Sequence, residues 1–79
     1  MRLADTEREL ATKAARFIKA ELKRSGVTYG ELAERLESQG PHETEASITN
    51  KLARATVPAT LLLATLAALG MDGMKLDDL

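Results

Sequence analysis

Gly26, Gly40-Pro41, Pro58 and Gly70 punctuate the chain, and this punctuation most constrains what it can fold into. Gly26 and Gly70 stand where a helix would end on a left-handed residue, a conformation glycine adopts at little cost. Gly40-Pro41 stops any helix that reaches it, since proline cannot continue the hydrogen-bond ladder. Pro58, by contrast, suits the first turn of a new helix, where its missing N–H is not needed. Four segments result, and each reads as helix.

The first segment, about Asp5 to Ser25, is amphipathic. Leu10, Ala11, Ala14, Phe17, Ile18 and Leu22 recur at spacings of three and four, which places them on one face. Arg8, Lys13, Arg16, Lys19, Lys23 and Arg24 fall on the other side, as a solvated face or as a basic flank along phosphates. The second helix, about 29–38, opens on Thr28-Tyr29-Gly30-Glu31, a capping box in which the Thr28 hydroxyl and the Glu31 carboxylate each satisfy a first-turn amide. Val27 and Leu32 add a hydrophobic staple. A third helix, about 45–54, follows Thr44 as N-cap and turns Ile48 and Leu52 inward. Its opposite surface carries Ala46, Ser47, Asn50, Ala53 and Arg54, with Thr49 and Lys51 on the flanks. A fourth helix, about 58–69, is apolar nearly all round, and residues 71–79 add a short tail. The expected fold is all-α, a compact bundle of four to five helices with a long first helix.

A chain of 79 residues has room for one small domain. It contains no cysteine, which removes disulfides, thiolate nucleophiles and Cys-type zinc sites and suits a reducing cytoplasm. No apolar run approaches the roughly 18 residues of a membrane span, and the N-terminus mixes acids with bases, unlike a signal peptide. The net charge of −1 disfavours a generic polyanion binder. Charge is nonetheless uneven: residues 1–24 hold seven bases against four acids, residues 25–79 four bases against eight acids. Phe17 and Tyr29 are the only aromatics, too few for base-stacking platforms.

The order of these features resembles the lambda-repressor/Cro-like helix-turn-helix superfamily. Gly26-Val27-Thr28-Tyr29-Gly30-Glu31-Leu32-Ala33 is similar to that superfamily's start of helix two. Ser47-Ile48-Thr49-Asn50-Lys51-Leu52 stands for the recognition-helix core, and Pro58 with Leu62, Leu66 and Leu69-Gly70 for the closing helix. More narrowly, E-L-K-R-S-G-V-T-Y-G-E-L-A with N-K-L-A-R resembles a family of short bacterial proteins without an assigned function, over about residues 17–71. The resemblance implies a DNA-binding regulator that presents its third helix to the major groove. Two departures stand out. The stretch from Ala33 to Ile48 is longer than usual, and Glu43 and Glu45 place carboxylates where phosphates would repel them.

On that reading the DNA-binding residues are Tyr29, Ser47, Thr49, Asn50, Lys51 and Arg54. Asn pairs with adenine and Arg with guanine, while Ser and Thr reach bases or phosphates. Tyr29 either offers its hydroxyl to a phosphate or covers the junction of the first two helices. Ser47, Asn50 and Arg54 are otherwise a plain solvated face. The competing class is a protein-interaction module that keeps the fold without binding DNA, which would accommodate Glu43, Glu45 and the leucines of helix four. An enzyme is not expected: His42 stands alone in a turn without a nucleophile or metal-ligating partners, and no phosphate-cradling glycine motif occurs. No metal or cofactor is expected either. Surplus apolar surface on helix four, through Leu61, Ala68 and Met71, points to a homodimer, unless residues 71–79 fold back over it.

Overall fold

Threonine hydroxyls start three of the four helices in this computed structural model, which describes residues 2–79. The helices are α1 Glu7–Ser25, α2 Tyr29–Leu36, α3 Glu45–Arg54 and α4 Ala59–Ala68, followed by a 3-10 turn at Leu76–Asp78. Thr6 accepts a hydrogen bond from the Glu9 amide at 3.1 Å, Thr28 from Glu31 at 3.1 Å and Thr44 from Ser47 at 3.0 Å. Each bond satisfies one amide that the first helical turn leaves without a partner. At Thr28 the box closes both ways, with the Glu31 carboxylate accepting from the Thr28 amide at 3.4 Å. At Thr44 it also closes, but with Ser47 in the place usually held by Glu or Gln.

The helix ends follow their punctuation. Gly26 takes φ 68°, and the Val27 amide returns to the Leu22 carbonyl at 3.0 Å. Gly70 takes φ 72° after α4. Between α3 and α4 the left-handed residue is Ala55, at φ 54°, a position where a Cβ costs about 1 kcal/mol. Against the expected bounds, α1 begins two residues later, α2 stops at Leu36 rather than Ser38, and α4 is a residue shorter at each end.

α2 packs against α3 and α4, and α1 crosses the same two helices; α1 and α2 make little contact with each other. The core so formed is aliphatic: Ile18 and Leu22 from α1, Leu32 and Leu36 from α2, Ile48 and Leu52 from α3, with Phe17, Val27, Leu61 and Leu66 around them. Each such side chain contributes on the order of 2 kcal/mol through burial. Leu10, expected on the inward stripe, is 37% exposed, because the first turns of α1 extend past the core. Ala15, rather than Ala14, closes that side of α1.

α4 requires the main correction. Leu61, expected to face outward on a dimer seam, is buried at 2%, while Leu63 is 65% exposed. A helix that is apolar all round has no polar face to fix its rotation; contact with α1 and α2 sets it instead. Ala68 and Met71, the other expected seam residues, are half-buried against the core, and Met74 and Leu79 of the tail pack there too. Thr65 is drawn inside with them at 1% exposure, and its hydroxyl has no hydrogen-bond partner among the described residues. No helix is long and apolar enough to cross a membrane among these residues.

Candidate functional site

α3 is held by its back. Ile48 and Leu52 are 1% and 2% exposed, so the helix surface opposite them faces solvent. That surface carries Ala46, Thr49, Asn50, Ala53 and Arg54, all exposed. Small residues on either side leave Asn50 and Arg54, four apart and so one turn above each other, as its longest polar side chains. Neither has a side-chain hydrogen bond or ion pair among the described residues. The Thr49 hydroxyl donates to the Glu45 carbonyl at 2.9 Å, a back-bond that leaves its lone pairs outward. A shallow depression lined by Thr44, Glu45, Ala46, Thr49 and Asn50 runs along this face.

Ser47 and Lys51 are diverted from it. Both turn to Glu43, which precedes the helix: the Ser47 hydroxyl donates to one carboxylate oxygen at 2.6 Å and the Lys51 ammonium donates to the other. The Glu43 side chain is only 8% exposed. Burial pushes its carboxyl up, but the hydrogen bonds from Lys51 and Ser47 and the positive charges of Lys51 and His42 outweigh that and hold it below its ordinary value of 4.5. Glu45 points a different way. Its carboxylate lies over the first turn of α2, where a Cβ placed on Gly30 would come within 3.3 Å of its oxygen. There it complements the positive end of the α2 dipole. Tyr29 is half-buried against the core. His42 is exposed, with Nδ1 3.7 Å from the Glu37 carboxylate, and no group of three potential metal ligands occurs among the described residues.

A second feature adjoins the α3 face. Between α1 and the C-terminal end of α3 lies a cleft of about 530 Å³. Arg8, Arg16 and Lys19 line one wall and Arg54 the other, over a floor of Ala11, Ala15, Leu52, Ala53 and Ala55.

The profile of a family described as a domain of unknown function, DUF6471, matches residues 10–74. The chain belongs to the DUF6471 family. The matched stretch takes in α2, α3 and α4 whole and α1 from Leu10 onward, so every residue of the α3 face lies inside it. This agrees with the narrower of the two resemblances, to short proteins without an assigned function. No curated protein and no solved structure gives a significant match.

In this DUF6471 chain the structure therefore brings together three of the six expected site residues, Thr49, Asn50 and Arg54, on one open face. It ties Ser47 and Lys51 into a clamp on Glu43 and sets Tyr29 against the core. The cleft escaped sequence reading. Arg8, Arg16 and Lys19 are visibly on the outer side of α1, but nothing local says that α3 ends opposite them.

Proposed function

We propose that this DUF6471 protein binds duplex DNA, as a transcriptional regulator of helix-turn-helix type that lays the outward face of α3 in the major groove. The observation that carries this is the commitment of side chains around α3. Ile48 and Leu52 anchor the helix, Ala46 and Ala53 keep its surface low, and Asn50 and Arg54 stand out of it with no partner among the described residues. Those two residue types make the bidentate pairings with adenine and guanine. The packing of α2 on α3 suits the two-helix unit, although the connection Glu37–Thr44 is longer than the usual short turn. Of the two carboxylates that argued against phosphates, Glu43 is occupied inside the molecule by Lys51 and Ser47, while Glu45 stays exposed at the start of α3 and lies near the first turn of α2.

Titration against labelled duplexes of random sequence, at low and moderate salt, tests it. Binding should weaken steeply with salt. Asn50→Ala and Arg54→Ala should each cost about 1–3 kcal/mol and relax sequence preference. Lys51→Ala should weaken all sequences by less than a solvent-facing lysine would, because Glu43 already neutralises it. Wild-type affinity in an Asn50/Arg54 double alanine variant would remove α3 from the reading.

A homodimer belongs to the same reading, with Leu63 in place of Leu61 as the exposed apolar side chain of α4. Leu63 sits beside Pro41, Gly40 and Ala67 in a shallow apolar groove, the feature that an interaction module without DNA binding would use instead. Sedimentation at micromolar concentration separates monomer from dimer, and Leu63→Lys should abolish a dimer built on this groove.

A further inference from the structure

We propose that the cleft between α1 and the C-terminal end of α3 is a phosphate clamp, which grips the backbone of a DNA duplex beside the groove that α3 enters. This rests on the reading of α3 as the base-contacting helix. The clamp is built mainly by α1. Positions 8, 12, 16 and 19 recur at spacings of four, four and three, so Arg8, Thr12, Arg16 and Lys19 form one row along that helix. Arg8 to Lys19 spans about 16 Å of helix axis, and the charges of one DNA strand recur about every 3.4 Å of duplex axis. The row is thus long enough to follow several phosphates.

Three observations make this an anion site rather than a solvated flank. First, no carboxylate lines the cleft. The four ion pairs among the described residues use Arg2, Arg24, His42 and Lys51, so Arg8, Arg16, Lys19 and Arg54 are in none of them. Second, the fold itself supplies little opposite charge. The C-terminal end of α3 is worth roughly half a negative charge, against four positive side chains around one cleft. That surplus favours an anion bound in the cleft. Third, the floor is made of Ala11, Ala15, Ala53 and Ala55 with Leu52, so a bulky, ridge-like group such as a sugar-phosphate strand can approach closely. A single strand is disfavoured, because no aromatic side chain lines the cleft to stack a base. Arg54 belongs to both the cleft and the open face of α3, which joins the clamp to the base-contacting surface and favours duplex DNA over an acidic peptide.

The test uses the full chain with the three α1 bases replaced, Arg8→Gln, Arg16→Gln and Lys19→Gln, measured by fluorescence anisotropy on labelled duplexes at three salt concentrations. All three side chains lie on an outer face and glutamine is a good helix former, so circular dichroism and the thermal midpoint should match wild type. The slope of log affinity against log salt should become shallower by about 0.9 per contact, about 2.7 for the three. Affinity should fall at least tenfold at low salt, equally for every sequence, with sequence preference intact. Should the triple variant fold poorly, Lys19→Gln alone should still lower the slope by about 0.9. Wild-type affinity and slope in the triple variant, while Asn50→Ala with Arg54→Ala loses binding, would overturn the clamp and leave α3 standing. Absence of duplex binding by the wild type at low salt would overturn both readings. Binding of polyglutamate but not duplex through the same three bases would overturn the clamp as a DNA site.

Discussion

At the scale of single residues, the chain departs from the ordinary in two places, and both lie within α4 or on the way into it. Thr65 is a hydroxyl in an aliphatic core, 1% exposed and without a partner among the described residues. A buried polar group left unsatisfied costs about 1–3 kcal/mol, whereas an apolar group of the same shape does not. Thr65→Val should therefore raise stability by about 1 kcal/mol in a denaturant titration, and an unchanged midpoint would mean that the hydroxyl is satisfied after all. Thr65 was not legible as a core residue, because a lone threonine in a run of Leu and Ala carries no direction. Ala55 is the second departure. Its positive φ turns the chain from α3 toward α4, and no glycine in the sequence announces that corner.

At the scale of elements, what local chemistry dictates was legible and what tertiary packing dictates was not. The Thr28–Glu31 box can be read from four letters, because both of its hydrogen bonds lie within one turn. Removing it by Thr28→Ala should cost about 1 kcal/mol and lower the thermal midpoint while leaving the surface of α3 intact. The Ser47 half of the α3 box was hidden by its residue type, and the Glu43 clamp by the loop that folds back to make it. That clamp gives α3 a pH dependence whose sign follows from its charge. The folded-state carboxyl is held below its ordinary value, so the anion is the form the fold favours. Its stabilisation is complete above the unfolded value near 4.5 and is lost as pH falls through the lowered folded value. Thermal midpoints from about pH 6 down to pH 3 should fall in wild type and fall less in Glu43→Gln, whose amide cannot titrate. Equal pH dependence in the two would show that other carboxylates carry the effect.

At the scale of the whole molecule, the hydrophobic rows on α1, α2 and α3 each gave a face, and the structure uses those faces. α4 gave none, which is why Leu61, expected outward, is buried, and Leu63 is the leucine of α4 that the structure exposes. The cleft lay beyond reach for a related reason: it exists only once α1 has crossed α3. That crossing has a consequence in time as well as in space. α1 and α2 are neighbours in sequence yet make little contact, and each rests instead on α3 and α4. The hairpin nearest to hand should therefore gain little by itself, and α1 should find its main partners only as α3 and α4 come together. α2, α3 and α4 meet one another at shorter sequence separation than α1 meets α3 and α4, so they should form the nucleus, with α1 docking late. Destabilising α1 by Leu22→Ala should then speed unfolding and leave the folding rate nearly unchanged, while Leu36→Ala should slow folding. The last helix to dock during folding is also the first to come away, so the basic row that α1 brings to the cleft should be the part of the molecule whose amides exchange soonest with solvent.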